Sequence, residues 1–394
     1  MQGLFDSQRS AAIDILRKYG EATIAALTPN STSPPTDYAV FAFRDPICLA
    51  HGGDKQQNYA VAVQRLTLLS DFLRVTPSGY TYCLPGRGDL TLSPNESLNK
   101  DLAPNILSYA ARAYTDTASE EESIQRAIGL WKTLHDQYQG ANGGFVTQWN
   151  PKTGMSSGRI TQASLIYPWA SSGFRMFKVV DAKENSKFLE VHNMALRRST
   201  DVAFAMLRNG RLPIEQLDAA TLTPIEEGTY GQSNPTVILG HYAQLLNFIL
   251  RSLEHSGTGS RNVLPEIKNQ FEYLLSNYVS KSTGGIGNGY DQESGNPVEP
   301  WGHNLAYWQQ TEFIAALNRA FALDVFEADD ALLELAQKCY LGAIGLLGKY
   351  FDNGAPVAAV LDRTGKPIDE EKNVIPFILP YHTVDLLDQI DEST

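Results

Sequence analysis

Turn-forming residues recur along this chain at nearly even spacing, and this rhythm constrains the fold more than any single motif does. Five clusters rich in glycine, proline, aspartate or asparagine are marked by Gly88, Gly154, Asp218, Gly295 and Gly365. The intervals between these markers are 66, 64, 77 and 70 residues. A fixed period indicates one supersecondary unit that stacks on copies of itself and buries a shared core. A chain of 394 residues has room for six such units.

Three of the turns share one pattern, in which aspartate or asparagine opens the turn and glycine follows three or four residues later. They are Asn150-Pro151-Lys152-Thr153-Gly154, Asp291-Gln292-Glu293-Ser294-Gly295 and Asp362-Arg363-Thr364-Gly365-Lys366. An acidic or amide side chain that bonds to the turn backbone, followed by a left-handed glycine, is typical of hairpins. We therefore expect short β-hairpins at these positions.

Between the turns, apolar residues recur at helical spacing. The predicted helices cover residues 7–27, 57–73, 102–114, 121–138, 168–180, 187–207, 236–253, 264–278, 306–321, 329–347 and 382–390. Helix pairs joined by hairpins and repeated six times predict an all-α fold, the (α/α)6 toroid, in which inner helices surround a central funnel. An open solenoid of the HEAT type has shorter units of about 40–47 residues and no hairpins. The observed period favours the toroid.

Composition agrees with one domain over residues 1–394, because 43% of the residues are hydrophobic, 19% are charged, and no linker divides the chain. The net charge of −12 argues against nucleic acid and anionic membranes as partners, and we predict neither. The sequence starts without a signal-peptide pattern, so a cytoplasmic location is expected. Three cysteines without metal-ligand spacing predict reduced, structural thiols. Neither a metal nor a cofactor is predicted.

Two of the seven histidines stand out. His241 lies inside an apolar helix with Gln244 on the same face, so it is either a core histidine or a catalytic one. His382 is predicted to open the last helix, where the positive helix end favours the neutral imidazole that a general base needs. The alternative for His382 is a tail residue without a role. We expect His135, His192 and His255 to be surface or capping residues, because they lie in polar surroundings near helix ends.

The densest group of chemically active side chains lies between residues 301 and 312. Trp301, His303 and Trp308 are candidate substrate-binding residues. Trp308 and Glu312 are four residues apart on one helical face, as a stacking platform and a carboxylate would be. Because burying a carboxylate without a partner is costly, Glu312 is predicted to be functional or paired.

These motifs resemble the N-acylglucosamine 2-epimerase and cellobiose 2-epimerase family, whose fold is an (α/α)6 toroid. The family's Gly-His-x-x-Glu motif is matched by Gly240-His241-Tyr242-Ala243-Gln244, and its double glycine followed by Trp-x-Gln-x-Glu by Gly284-Gly285 and Trp308-Gln309-Gln310-Thr311-Glu312. Its Pro-Tyr-His motif is matched by Pro380-Tyr381-His382, and Arg65 resembles its early arginine. The architecture is matched over residues 55–390, and the motifs over 240–385. The resemblance implies catalytic roles for His382, His241 and Glu312, and substrate binding by Arg65, Gln244 and Tyr381.

Two departures from the family pattern affect the chemistry. Gln244 stands where the family has a glutamate, and Ser171 and Ser172 stand where its second catalytic histidine is expected. Three functions therefore stay open: a sugar 2-epimerase or aldose–ketose isomerase, a terpenoid cyclase-like enzyme with an aromatic pocket, and a non-catalytic binding protein. The expected partner is a small-molecule substrate, and a homodimer is one assembly that we keep open.

Overall fold

The computed structural model describes most of the chain. The described residues are 2–26, 43–51, 55–70, 73–76, 79–82, 103–117, 121–147, 149, 155–256, 263–327, 329–352, 355–368 and 375–392. The predicted turns at Pro85–Asp89 and Asn150–Gly154 lie outside these residues.

Helices dominate the structure, and short strands separate them. The helices are α1 (Gln2–Ala26), α2 (Arg44–Ala50), α3 (Lys55–Ser70), α4 (Ala103–Thr117), α5 (Glu121–Thr133), α6 (Gln162–Pro168), α7 (Phe174–Val179), α8 (Ser186–Met206), α9 (Leu239–Ser256), α10 (Leu264–Tyr278), α11 (Tyr307–Ala322), α12 (Asp330–Leu347) and α13 (Ile375–Glu392). The strands are β1 (Leu73–Thr76), β2 (Gly79–Tyr82), β3 (Arg159–Thr161), β4 (Gln216–Asp218), β5 (Thr236–Ile238), β6 (Gly289–Asp291), β7 (Leu305–Ala306), β8 (Phe351–Asp352), β9 (Ala355–Pro356) and β10 (Val360–Leu361).

The chain divides into two compact units. The first comprises residues 1–27, 207–215 and 226–394, and the second comprises residues 28–206 and 216–225. In the first unit, α11 packs against α9, α13 and α12, while α1 packs against α13 and α12. In the second unit, α4 is central and packs against α2, α3, α5 and α6. The single domain over 1–394 stays a prediction.

The same arrangement of two paired strands occurs at three helices. Strands β3, β5 and β7 each lead directly into a helix, α6, α9 and α11 respectively. Each of these strands pairs in antiparallel fashion with a strand that the chain reaches one helical pair later: β3 with β4, β5 with β6, and β7 with β10. The repeated unit therefore consists of a strand, helices and a returning strand, which agrees with the period of the turns.

The turns behave as the sequence predicts. At Asp291, the carboxylate accepts a hydrogen bond from the Ser294 backbone, and Gly295 adopts a left-handed φ of 68°. At Asp362, the carboxylate accepts from the Thr364 backbone, and Gly365 has a φ of 83°. Both are tight hairpin turns that follow a strand.

The turn at Asp218 has the same backbone hydrogen bonds as the turn at Asp291. The Asp218 carboxylate accepts from the Thr221 backbone at 2.8 Å, and the Leu222 N–H donates to the Asp218 carbonyl. Leu222 occupies the left-handed position, with a φ of 56°, where Gly295 stands in the other turn. The turn is thus a member of the series although it lacks the glycine.

The last helix differs from the prediction. It was expected to begin at His382, but α13 begins at Ile375 and contains Pro380 in its interior. His382 therefore lies in the middle of a helix, and the argument that a positive helix end keeps its imidazole neutral is wrong. Pro380 is the sixth residue of α13, beyond the first turn, and the helix continues through it although an interior proline removes one backbone hydrogen bond.

Among the described helices, the stretch Asp330–Tyr350 alone is long and apolar enough to cross a membrane. A core helix of a soluble protein passes the same test of length and composition. Within the first unit, one face of α12 is buried at Ala336, Tyr340, Ala343 and Leu347.

A buried ionic cluster fixes the end of α4 in the second unit. The Asp116 carboxylate contacts Arg112 Nε at 3.2 Å, Arg175 Nε at 2.5 Å and His51 Nε2 at 3.0 Å. Burial pushes the pKa of Asp116 up, but the His51 hydrogen bond and the two guanidinium charges outweigh it and hold the pKa below its ordinary value. The cluster links three segments of this unit.

Candidate active site

Three aromatic rings from three helices meet in the first unit. The His241 imidazole on α9 lies 5.3 Å from the Trp308 ring on α11, measured between ring centroids. The His382 imidazole on α13 lies 6.1 Å from the same indole. Both imidazoles are buried, whereas the indole is half-buried. Residues separated by up to 141 positions in the sequence are thus brought together.

Strand pairing sets the positions of His241 and Trp308. Each stands in the first turn of a helix that follows a strand directly. The Leu239 N–H at the start of α9 donates to the Asn288 carbonyl, and the Tyr307 N–H at the start of α11 donates to the Ala359 carbonyl. Backbone donors in the first turn of a helix have no partner within the helix. The returning strands supply these partners and so fix where both helices begin.

Gly240 lets α9 and α11 approach closely. A Cβ atom at this position would lie 2.6 Å from Cζ3 of Trp308 and 2.6 Å from Cγ of Gln309. Separations this short are not tolerated between carbon atoms, so only glycine fits here. The glycine of the Gly-His motif therefore has a packing role: it allows the Trp308 indole to lie against the start of α9, next to His241.

Gln310 holds the loop that contains the double glycine. Its Oε1 accepts from the Ile286 N–H at 2.9 Å, and its Nε2 donates to the Ile286 carbonyl at 2.9 Å. The side-chain amide thus pairs with the backbone as a neighbouring strand would. The middle glutamine of the Trp-x-Gln-x-Glu pattern, Gln310, therefore fixes the loop that contains Gly284 and Gly285.

Glu312 is paired with the second histidine of the cluster. Its Oε1 lies 3.6 Å from Nδ1 of His382, and each side chain is only 4% exposed. A carboxylate next to Nδ1 favours the tautomer that carries its proton there and leaves the lone pair on Nε2. Glu312 and His382 therefore form a carboxylate–imidazole pair in which Nε2 can accept a proton.

Two more of the predicted residues lie in or next to this cluster. Tyr381 is buried, and its ring meets the His382 imidazole edge to face at 5.2 Å. Gln244 is buried one helical turn after His241, and its Oε1 accepts no hydrogen bond from the described residues. A buried acceptor without a donor costs about 1–3 kcal/mol, so this oxygen is suited to a hydroxyl group of a ligand.

Three candidate residues from the sequence remain, namely Trp301, His303 and Arg65. Trp301 covers Gly289, and His303 is 41% exposed, 3.9 Å from Glu299 and with its ring near Tyr290. Among the described residues, no hydrogen bond, ion pair or ring contact joins Trp301 or His303 to His241, Trp308 or His382. Arg65 lies on α3 in the second unit, where burial lowers the pKa of its guanidinium. Substrate binding by these three residues stays a prediction.

Two residues on the Nδ1 side of His241, Tyr230 and Glu215, were not predicted from the sequence. The Tyr230 hydroxyl lies 2.8 Å from Oε1 of Glu215 and 3.5 Å from Nδ1 of His241. Burial raises the pKa of Glu215 to about 8 and lowers the pKa of His241 to about 3. A signal was present in Pro213-Ile214-Glu215-Gln216-Leu217, where one carboxylate interrupts an apolar stretch as Glu312 does.

The second unit contains another pair of histidines, and the prediction that they are surface or capping residues is wrong. His135 and His192 are both buried, with Nε2 of His135 2.9 Å from Nδ1 of His192. Nε2 of His192 donates to the Gly173 carbonyl at 2.9 Å. Burial lowers the pKa of His135 to about 4. His255 is exposed near the end of α9, as predicted.

The serines that replace the expected family histidine lie in a π-helical turn, Trp169–Gly173, between α6 and α7. Ser172 accepts a hydrogen bond from the Trp131 indole at 3.0 Å, and Ser171 bonds to Ser108 at 2.8 Å. Both hydroxyls thus serve contacts within the second unit. Across the part of the chain that the structure describes, no group of three or more His, Cys, Asp or Glu side chains could hold a metal ion.

Comparison with known proteins shows similarity in structure only. No family model matches the sequence, and no curated protein matches it significantly. A D-mannose isomerase has a TM-score of 0.66 and 15% identity, covering 95% of this chain and 87% of the other. A cellobiose 2-epimerase from Bacillus thermoamylovorans has a TM-score of 0.71 and 13% identity, covering 97% and 100%. A cellobiose 2-epimerase from Spirochaeta thermophila has a TM-score of 0.67 and 12% identity, covering 90% and 86%.

At these identities the likeness establishes the fold. The matched enzymes are (α/α)6 toroids. The resemblance predicted from the motifs is therefore confirmed in the structure, and the chain has the all-α (α/α)6 toroid fold.

Proposed function

We propose that the protein is a sugar isomerase or 2-epimerase that moves a proton at the carbon next to a carbonyl group. The observation that carries this proposal is the meeting of two buried imidazoles at one indole, with a carboxylate next to one of them. Proton transfer at carbon needs one group to remove a proton and a second to return it, and histidine is the side chain used most often for this. The structural neighbours named as a D-mannose isomerase and as cellobiose 2-epimerases support the same chemistry.

In this proposal, His382 is the base. The Glu312 carboxylate, 3.6 Å from Nδ1 of His382, favours the tautomer with its proton on Nδ1. Nε2 of His382 then takes the proton from the sugar carbon, and an enediolate forms. Trp308 offers an aromatic surface against which a sugar ring or chain packs. Gln244 accepts a hydrogen bond from a sugar hydroxyl through its buried Oε1. Substrate binding by Arg65 stays a prediction from the family resemblance.

His241 is the second proton-transfer group. Return of the proton by His382 to the neighbouring carbon gives an aldose–ketose isomerisation. Return by His241 to the original carbon on the other face gives a 2-epimer. The two outcomes differ in product, so the product decides between them. A cytoplasmic location and a homodimer stay predictions from the sequence.

The test is proton exchange in D2O, followed by NMR. D-mannose and cellobiose are the first probe sugars, because the structural neighbours are named after them, and D-glucose and D-fructose complete the set. We expect deuterium to appear at the carbon next to the carbonyl and a 2-epimer or ketose to accumulate. His382→Gln is the control and should abolish both signals. If the protein binds these sugars but incorporates no deuterium, the isomerase proposal is wrong and the protein is a non-catalytic sugar-binding protein.

The terpenoid cyclase alternative has no support. The solved structures named above act, by their names, on sugars. The ring cluster also includes a carboxylate–imidazole pair, which suits proton transfer at a polar centre better than an apolar carbocation.

A further inference from the structure

Tyr230 has an unusual backbone conformation. It occupies the second position of a four-residue turn closed by the hydrogen bond from the Gln232 N–H to the Thr229 carbonyl, at 2.9 Å. Tyr230 has a φ of 54° and the next residue, Gly231, a φ of 78°. Positive φ at both central positions defines a type I′ turn, which favours asparagine, aspartate or glycine at the position that tyrosine holds here. Strained backbone of this kind is concentrated at functional sites.

The neighbouring loop fixes this turn. Thr229 Oγ1 accepts from the Thr236 N–H at 2.8 Å, which ties the turn to the start of β5. Asn234 donates to the Asp291 carboxylate at 2.9 Å, which ties it to the end of β6. The Tyr230 ring is therefore held against the start of α9 although the residue is 48% exposed. Its position follows from the turn rather than from burial.

The Tyr230 hydroxyl bridges two ionisable groups. It lies 2.8 Å from Oε1 of Glu215 and 3.5 Å from Nδ1 of His241. Glu215 is fully buried, and its backbone N–H is held by Oε1 of Gln292 at 2.7 Å. The other carboxyl oxygen, Oε2, has no hydrogen-bond partner among the described residues. The three side chains form a continuous line from a buried carboxyl group to the imidazole.

The two ends of this line prefer opposite proton states. Because burial raises the pKa of Glu215 to about 8, its carboxyl group is protonated near neutral pH. Because burial lowers the pKa of His241 to about 3, its imidazole is neutral. A neutral imidazole that gains a second proton here has to pass one on. The Glu215 carboxylate, reached through the Tyr230 hydroxyl, can hold that proton without charge.

We propose that Tyr230 relays protons between Glu215 and His241, so that Glu215 stores the proton that His241 exchanges with a substrate. The inference rests on the proposed sugar isomerase or epimerase function. In the resting state, the Glu215 O–H donates to the Tyr230 oxygen, the Tyr230 O–H donates to Nδ1 of His241, and Nε2 of His241 carries a proton. His241 is then the acid of the reaction, and His382 is the base.

The transfer balances in protons and charge. Nε2 of His241 gives its proton to the enediolate carbon, so a C–H bond forms and an N–H bond breaks. Nδ1 takes the Tyr230 proton, and the Tyr230 oxygen takes the Glu215 proton. The negative charge of the enediolate ends on the Glu215 carboxylate, and His241 stays neutral throughout. In the reverse direction Nε2 accepts a proton from the substrate, and the same three shifts return a proton to Glu215.

The relay also accounts for Gln244. A glutamate at that position, one turn after His241, would place a charge next to the imidazole. Gln244 is a neutral amide. The carboxyl group is that of Glu215, which lies beyond the Tyr230 hydroxyl and belongs to a different segment of the first unit. The carboxyl partner of His241 is thus supplied by Glu215 through a hydroxyl group.

Two conservative variants test the relay. Tyr230→Phe removes the hydroxyl and keeps the ring, and Glu215→Gln keeps a side chain that can hydrogen-bond to Tyr230 but can neither give up nor take up a proton. Each should lower the rate of 2-epimer formation about 10²-fold, the lower end of the loss expected for acid–base catalysis. Deuterium exchange of the substrate through His382 should continue in both variants. The matched control is Tyr273→Phe, which removes a hydroxyl that bonds to Tyr278 elsewhere in the first unit.

The outcomes separate a relay from mere positioning. Epimer formation at the wild-type rate in both variants overturns the relay and leaves the proposed function intact. A loss in Tyr230→Phe with full activity in Glu215→Gln also overturns it, because the hydrogen bond would then matter and the stored proton would not. Loss in both variants, with exchange retained and the Tyr273→Phe control unchanged, is the result we expect.

A second measurement does not depend on turnover. At pH 7, infrared spectra should show a protonated carboxylic acid band that disappears in Glu215→Gln. The ¹⁵N resonance of His241 Nδ1 should move in Tyr230→Phe, because the hydroxyl that donates to it is gone. If the wild-type protein exchanges deuterium into none of the probe sugars, the proposed function fails. The spectra then still show whether Glu215 is protonated and whether Tyr230 donates a hydrogen bond to His241. An unchanged Nδ1 resonance, or no acid band, overturns the relay.

Discussion

Each of the two units buries histidines next to a tryptophan, but the groups around these histidines differ. In the second unit, His192 donates to a backbone carbonyl and accepts from His135, while aromatic rings surround both. In the first unit, His382 faces the Glu312 carboxylate, and His241 faces Glu215 through the Tyr230 hydroxyl. The hydrogen bonds of one pair go to neutral groups, whereas the other pair lies next to carboxyl groups.

The difference separates a structural role from a chemical one. A backbone carbonyl fixes the tautomer of His192 and can neither give nor take a proton. A carboxyl group can do both, so an imidazole next to it has somewhere to pass a proton or a partner that stabilises its charged form. Burial of a histidine by itself therefore says little about function. The ionisable neighbours of the ring decide what it can do.

The sharpest way to break this comparison is to make one substitution in both units. Glutamine can donate and accept hydrogen bonds as a neutral imidazole does, but it cannot act as an acid or base near neutral pH. His382→Gln should lower turnover about 10²–10⁴-fold, the range for loss of a general base. His192→Gln should retain turnover, since the amide can reproduce the bonds to His135 and Gly173. Deuterium exchange assays and melting curves of both variants measure this. Equal losses of activity would contradict the distinction between the two pairs.

Removing the ring altogether should expose the structural role of the second pair. His192 is fully buried and in ring contact with Trp131, Trp169 and Phe188. His192→Ala leaves a cavity and an unpaired Gly173 carbonyl, which together should lower the free energy of unfolding by about 2–4 kcal/mol. Urea denaturation measures this change. His255→Ala is the matched control, because an exposed histidine should change stability by less than about 0.5 kcal/mol. A loss below that level at His192 would mean that the aromatic cluster collapses without strain.

One buried group in each unit, His135 in the second and Glu215 in the first, should make the stability respond to pH in opposite directions. The pKa of His135 is about 4 in the folded protein and ordinarily near 6.5, so the folded state binds its proton less readily than the unfolded chain. Stability from this group is present above pH 6.5 and is lost as the pH falls towards 4. The pKa of Glu215 is about 8 in the folded protein and ordinarily near 4.5. Its contribution is present below pH 4.5 and is lost as the pH rises towards 8.

Difference profiles between variants and wild type isolate each group. Relative to wild type, Glu215→Gln should gain stability from pH 4.5 to 8, whereas His135→Gln should gain stability as the pH falls from 6.5 to 4. A fully shifted group changes the free energy of unfolding by up to about 1.4 kcal/mol per pH unit. Denaturation at several pH values measures both slopes. Slopes of the same sign would contradict the opposite pKa shifts of Glu215 and His135.

Local chemistry made much of the fold predictable from the sequence. The Asp291 and Asp362 turns depend on one side chain and one glycine within a few residues, so their hairpins could be expected directly. Helices such as α10 were predictable from apolar periodicity within one segment. Glu312 was predictable as a paired carboxylate because a lone charge in an apolar run needs a partner.

Features that depend on distant segments were not predictable. His135 and His192 look polar in sequence, and they are buried only because rings from α5, α8 and the π-helical turn at Trp169 surround them. Glu215 and Tyr230 meet His241 through a strained turn that no periodicity reveals. The start of α13 was predicted seven residues too late, at His382, because the helix begins at Ile375 and runs through Pro380, where it packs against α11 and α1.

The turns at Asp218 and Asp291 offer the smallest and cleanest contrast between the units, because they share their backbone hydrogen bonds and differ at the left-handed residue. Gly295→Ala should destabilise the first unit by about 1–2 kcal/mol, since a Cβ atom is unfavourable at positive φ and would lie 2.9 Å from the Tyr278 hydroxyl. Leu222→Asn should stabilise the second unit by about 0.5 kcal/mol, because asparagine tolerates this conformation better than leucine. Thermal denaturation of both variants measures the two shifts. A loss of stability in Leu222→Asn would mean that burial of the half-covered leucine side chain outweighs the strain of its backbone, and that the missing glycine at this turn is compensated by packing.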